Sequence, residues 1–333
     1  MSSIFAYDLP DSYRSSLGSA LSSLPSPYQS FNDFHDELQQ ADFRFPGDLE
    51  RALYRLKYGM TDHHGILIRN LPLDGSNIRT PINGDVQPNK TTFISEGALA
   101  LLADEIGFIF GYQQERGGQL IQNIVPEKGR EDINSSEGSK VELRYHIDNG
   151  YLDFRPDFLC ISCINPDHEA LAETRVIGNR KIIDNLNDEV VRILRQPLFQ
   201  IRFSYSFKRH PEDPDWSLPK PIITGPRKYP EFRVKFGVTR GTTQEAKDAL
   251  ANLENICDTT LQHDTVNLQK GQVLVLSNRL ALHARTPFRP RFDGADRWLQ
   301  RIYVSCDPWG GRDQFGGDQR CITNLLTAES ASL

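Results

Sequence analysis

Apolar residues fall at helical spacing in the first part of the chain and alternate or run together as strands in the second. In residues 48–58, Leu49, Ala52, Leu53 and Leu56 share one helical face, and Gly59 supplies a stop. Residues 95–110 give a second helix, with Ser95 as its N-cap and Ala98, Leu101, Leu102 and Ile106 as its apolar face. A third covers 244–262 through Ala246, Ala249, Leu250, Leu253 and Ile256, and shorter helices are expected at 30–40 and 188–195. The chain before residue 30 is polar and reads as irregular.

Strand patterns occur at 65–71, 119–126, 157–164, 174–183, 198–207, 232–238, 273–276 and 297–304. Loops separate them at 80–91, rich in Pro, Asn, Asp and Gly, and at 210–230, which carries six prolines. Residues 127–140 hold no aromatic side chain and read as a mobile loop of the kind that lids a site. From Trp309 the chain is Gly-rich and polar, a tail expected to pack on the surface. There is no internal repeat and no low-complexity linker. Many short strands behind a helical start predict one barrel-like β domain spanning 1–333. Its parts are a helical N-terminal flank to about 115, a strand-rich core over 119–305 and a tail over 306–333.

Composition narrows the function. The 333 residues carry a formal charge of -6, and no Lys/Arg-rich run marks a nucleic-acid surface. No apolar run reaches the ~20 residues a membrane helix needs. The first residues lack a basic stretch followed by an apolar one, so no secretory signal is read. Five cysteines, an odd number, then point to reduced thiols and a cytoplasmic setting. Cys160 and Cys163 form a C-x-x-C within a strand, face opposite sides and are expected to be buried and inert.

Candidate chemistry centres on His146-Ile147-Asp148. Residues i and i+2 of a strand share a face, so His146 and Asp148 can reach one ion while Ile147 points to the opposite layer. With His283 they make the two-histidine, one-carboxylate set that binds non-haem Fe(II) and leaves positions open. Arg297 and Arg301 share strand parity and can both point to the face His283 lines. Two inward arginines suit two carboxylates. Gln119 and Gln122 are candidate substrate contacts, although three residues apart on a strand only one turns inward. His63 and His64 sit in a turn and are assigned no metal role; His35, His168, His210 and His263 are expected to be exposed.

These pieces resemble the clavaminate synthase-like branch of the Fe(II)/2-oxoglutarate-dependent dioxygenases. The matching stretches are His146-Ile147-Asp148, Arg155-Pro156-Asp157-Phe158-Leu159, Thr174, Asn278 to Phe288 with His283, and Asp296-Arg297-Trp298-Leu299-Gln300-Arg301. The resemblance implies a double-stranded β-helix core, a jelly-roll of cupin type, with flanking helices. It implies Fe(II) held by His146, Asp148 and His283, with 2-oxoglutarate and O2 as co-substrates. Arg297 and Thr174 would hold 2-oxoglutarate, and Arg301 the α-carboxylate of an amino-acid substrate. Close relatives often have Glu where Asp148 stands. A carboxylate there fits hydroxylation and not halogenation, which needs that position vacant.

The implied activity is hydroxylation of a free L-amino acid at an unactivated C–H, with release of succinate and CO2. L-Lysine, at the 3- or 4-position, is expected first. Arginine is disfavoured because 232–237 carries no acid, although Glu231 adjoins it. Asparagine, ornithine and carrier-bound substrates stay open, as does the oligomeric state, a homo-oligomer included. A non-catalytic jelly-roll would show a broken metal or co-substrate set, and this set is intact.

Overall fold

The computed structural model describes residues 2–75, 78–86, 90–207, 214–316 and 320–323. Its centre is a pair of sheets. The larger runs Ile4–Asp8, Gly65–Arg69, Val273–Ser277, Phe158–Asn165, Trp298–Ser305, Phe108–Tyr112, Cys321–Ile322, and Gln122–Ile124 also pairs with Trp298–Ser305. The smaller runs Asp264–Val266, Thr174–Gly178, Ala281–Arg285, Leu143–His146. Together they form a double-stranded β-helix, mainly β with flanking helices.

Side-chain alternation assigns each strand residue to a layer. Val273 and Val275 pack among helices behind the larger sheet, while Leu274 and Leu276 turn into the space between the sheets. Both faces are covered, so the strand is a continuous apolar run. The helices Gly47–Lys57 and Ile94–Ile106 close that outer layer with Leu49, Leu53, Leu56, Leu99 and Leu102. Leu53 is 1% exposed, and cutting it to alanine is expected to cost about 2–5 kcal/mol. Behind the smaller sheet, Tyr145, Ile147, Leu282 and Ala284 pack against Leu194, Leu250 and Leu253 of the helices Asp188–Leu194 and Gln244–Asn255. Their neighbours His146, His283 and Arg285 are thereby turned to the interior.

Several elements differ from expectation. The supposedly irregular start forms the strand Ile4–Asp8, parallel to Gly65–Arg69, and the helix Asp11–Ala20. That helix buries only Leu17, too little apolar surface to leave a periodic signal. The N-terminal flank is thus not purely helical but supplies strands to the larger sheet. Ser95 is not an N-cap. It lies inside Ile94–Ile106, and the Ile94 and Ser95 N–H groups donate to the Asp74 carboxylate at 2.9 and 3.1 Å. The helix stops at Gly107, and Phe108–Tyr112 is a strand. Thr174–Gly178 ends early and passes into the helix Asn179–Ile183. In 198–207 only Phe199–Ile201 is a strand, and in 232–238 only the start of the stretch pairs regularly, as Glu231–Phe232. The tail does not merely lie on the surface: Cys321–Ile322 is buried and adds a parallel strand beside Phe108–Tyr112.

Cys160 and Cys163 are free and fall in different core layers, as opposite strand faces require. No helix among the described residues is long and apolar enough to cross a membrane.

Candidate active site

A cavity of about 980 Å³ opens between the sheets. His146, Asp148, His283, Thr174, Arg297, Arg301 and Gln122 all line it. His146 and His283 are direct partners in the antiparallel pair of Leu143–His146 and Ala281–Arg285. Nε2 of His146 lies 3.3 Å, and Nε2 of His283 3.7 Å, from the same Asp148 oxygen, Oδ1. Three ligand atoms on one face of an octahedral ion sit about 3 Å apart when each bond is near 2.1 Å, so the set fits a single first-row metal.

The surroundings prepare those atoms. Nδ1 of His146 lies 2.9 Å from the Arg144 carbonyl, which can only accept, so Nδ1 carries the proton and Nε2 keeps its lone pair. Burial, then the charge of His283, push the His146 imidazole down to about 4 against the pull of Asp148. It is neutral at pH 7, the form that binds a metal. Burial pushes the Asp148 carboxyl up, but Arg301 and the two imidazoles outweigh it and hold it well below the carboxylate range.

Asp148 lies just past its strand, and Asn278 fixes it there. The Asn278 amide accepts from the Asp148 N–H at 2.8 Å and donates to the carbonyls of Asp148 and Pro156, each at 3.0 Å. Asn149, the next residue, takes positive φ, which asparagine tolerates. Arg301 donates to Asp148 Oδ2 at 2.8 Å and to Gln122 Oε1 at 2.6 Å. Gln122 in turn donates to Glu115 at 3.2 Å. Burial raises the Glu115 carboxyl against the opposing effects of Arg301 and Gln122.

Arg297 is 7% exposed and, among the described residues, has no carboxylate within ion-pair distance. Asp296 instead accepts from the Arg291 N–H at 2.7 Å and lies 3.6 Å from His168. Thr174 pairs with Arg285 in the smaller sheet, on the same wall. Arg285 donates to the carbonyls of Gly138 and Val141 at 2.5 and 3.0 Å. Residues of the 127–140 segment also line the cavity, and Arg116 ties the segment through Glu127 and Glu137 at 2.6 and 3.4 Å.

Some expected contacts are not there. Gln119 does not line the cavity; it follows the turn Arg116–Gly118, while Gln122, three residues on, faces inward. Glu231 is committed elsewhere, to Arg155 at 2.9 Å and Arg279 at 3.1 Å. His263 is exposed, but His35 and His168 are half-buried against acids, and His210 lies outside the described residues. The sequence reading missed the positioning role of Asn278 and the cavity group Lys235; the stretch 113–119 reads as a candidate pocket wall, and Glu115 of it does line the cavity. For Lys235 a signal existed: Val234 and Phe236 are apolar, so the residue between them faces the other way.

The chain belongs to the taurine catabolism dioxygenase TauD, TfdA family, whose pattern matches residues 28–303. It is 32% identical over 266 residues to an L-asparagine oxygenase of Streptomyces coelicolor, covering 79% of this chain and 77% of that one. Clavaminate synthase 2 of Streptomyces clavuligerus is 29% identical, over 89% and 90%. An L-lysine 3-hydroxylase of Catenulispora acidiphila is 29% identical, over 83% and 76%. A crystal structure of asparagine oxygenase with Fe(II), 2S,3S-3-hydroxyasparagine and succinate superposes with a TM-score of 0.86 at 28% identity, over 96% and 99%. The protein is a 2-oxoglutarate-dependent dioxygenase that uses Fe(II).

Proposed function

We propose that His146, Asp148 and His283 hold Fe(II), that Arg297 and Thr174 hold the distal carboxylate of 2-oxoglutarate, and that Arg301 and Gln122 face a free L-α-amino acid. The observation that carries this reading is one cavity wall bearing the His–Asp–His set together with two buried arginines. Iron(II) with 2-oxoglutarate supplies the O2-dependent oxidation that yields succinate, CO2 and a hydroxylated C–H.

The protein's own share is binding and orientation. Arg297 offers a planar fork to a carboxylate, with no acid among the described residues within ion-pair distance of it. Arg301 is already tied to Asp148, so it couples the position of the substrate carboxylate to that of a metal ligand. Glu115, buried 3.8 Å from Arg301, faces the substrate ammonium. The segment 127–140, which lines the cavity, is placed to shield the site from water.

Lysine, the substrate expected first, stands beside asparagine, ornithine and arginine as a candidate. The test is a screen of the proteinogenic amino acids and ornithine with Fe(II), 2-oxoglutarate and O2. A product one oxygen atom heavier, formed with succinate, supports the reading; succinate coupled to none of them overturns it.

A further inference from the structure

Lys235 has no part in holding iron or 2-oxoglutarate, yet it is built into the cavity. It pairs with His146 through an antiparallel bridge, and such partners project to one face. Val234 and Phe236 on either side are fully buried in the layer behind the smaller sheet, so alternation turns Lys235 inward, where it lines the cavity. Its ammonium has three N–H groups and donates to one acceptor, the Asn134 carbonyl of the 127–140 segment, at 3.1 Å.

Several neighbouring cations are engaged or already assigned, Arg297 to 2-oxoglutarate and Arg301 to the substrate α-carboxylate. Arg301 is paired with Asp148, and Arg116 with Glu127 and Glu137. Arg285 is spent on three carbonyls, and Arg233 donates to the Leu152 carbonyl at 2.7 Å. Among the described residues no carboxylate lies within ion-pair distance of Lys235. The acid next to this stretch, Glu231, is held by Arg155 and Arg279 and does not line the cavity. A cation left in a cavity with one carbonyl partner is costly, and a ligand oxygen would offset that cost. A substrate ammonium or guanidinium placed there would instead meet like charge.

We infer that Lys235 reads the substrate side chain, and that this side chain ends in a carboxylate or carboxamide oxygen. The inference rests on the amino-acid hydroxylase reading and narrows it: aspartate, asparagine, glutamate and glutamine fit the site, and lysine, ornithine and arginine do not. The carboxylate and the carboxamide share the acceptor oxygen; the charge of the first makes it the more dependent on Lys235.

The experiment measures succinate and hydroxylated product for those seven amino acids, with wild type, Lys235→Met and Lys235→Glu. Anaerobic calorimetry of amino-acid binding to the Fe(II)- and 2-oxoglutarate-loaded protein runs in parallel. Wild type is expected to bind and hydroxylate a member of the first group. Lys235→Met should weaken its binding about 10- to 100-fold, the effect of one charge-assisted hydrogen bond, with the KM for 2-oxoglutarate unchanged. A larger loss for aspartate or glutamate than for asparagine or glutamine marks an anionic substrate, and an equal loss marks an amide. Lys235→Glu should abolish binding of the acids. Wild-type turnover of lysine, ornithine or arginine alone, or unchanged affinity in Lys235→Met, overturns the inference while leaving the hydroxylase reading standing. Coupled turnover of none of the seven by wild type overturns the inference, and the wider amino-acid screen then decides the hydroxylase reading.

Discussion

His146 and His283 come from opposite halves of the chain and face each other across one antiparallel pair, their ring centroids 4.2 Å apart. Local sequence alone does not bring the two imidazoles together. The pairing of the two strands does it, and the apolar residues that alternate with the histidines anchor those strands against the helices behind. The register then shifts between His283 and Arg285, beside the 127–140 segment that lines the cavity.

Removing either ring should abolish metal binding. His283→Ala is expected to lose iron by more than the about 10–100-fold that changes around a ligand cost. Metal content after desalting checks it, with thermal unfolding showing that the fold persists. Iron retained at wild-type stoichiometry would remove His283 from the ligand set.

Asn278→Ala tests the support of Asp148. The substitution strips partners from one N–H and two carbonyls around a fully buried amide. A loss of about 2–3 kcal/mol in urea unfolding is expected, with weaker iron binding, because buried polar groups left unpaired carry their desolvation cost. Unchanged iron affinity would show that Asp148 holds its place without Asn278.

Arg297→Ala should raise the KM for 2-oxoglutarate by roughly 10- to 100-fold, the effect of a lost charged hydrogen bond. The amino-acid KM should stay within a small factor. A change confined to the amino acid would exchange the assigned roles of Arg297 and Arg301.

Acid should act in two windows. The His146 pKa falls from 6.5 to about 4 on folding, so between those values the unfolded chain binds the extra proton and the folded one does not. Stability rises with pH wherever the unfolded state binds more protons, so metal-free protein should lose stability as pH falls from 6.5 towards 4. Asp148 is also depressed, and its contribution is lost only below its ordinary value of 3.8. Melting of the metal-free protein across pH 7 to 3 checks this, and the first part of the loss should vanish in His146→Ala.

Much of the site was legible because strand alternation is a local rule. It placed His146 and Asp148 on one face, Ile147 on the other, and Arg297 with Arg301. It also allowed only one of Gln119 and Gln122 to face inward. What stayed hidden depends on distant partners. Ile4–Asp8 becomes a strand through its parallel pairing with Gly65–Arg69, and Cys321–Ile322 through Phe108–Tyr112. Ser95 looks like a cap, but the helix starts one residue earlier and Asp74, 21 residues upstream of Ser95, accepts from the Ile94 and Ser95 N–H groups. Lys235 sits in a stretch too irregular for a regular strand, and its bridge to His146 gives it a place in the cavity.

The most direct test of the central claim is stoichiometry. Protein loaded anaerobically with Fe(II) and 2-oxoglutarate is mixed with O2 and the amino acid that screens best, and succinate and hydroxylated amino acid are counted. One succinate per hydroxylated molecule is predicted for wild type, and neither product for His146→Ala. Hydroxylated amino acid without succinate, or equal turnover by His146→Ala, would contradict the account.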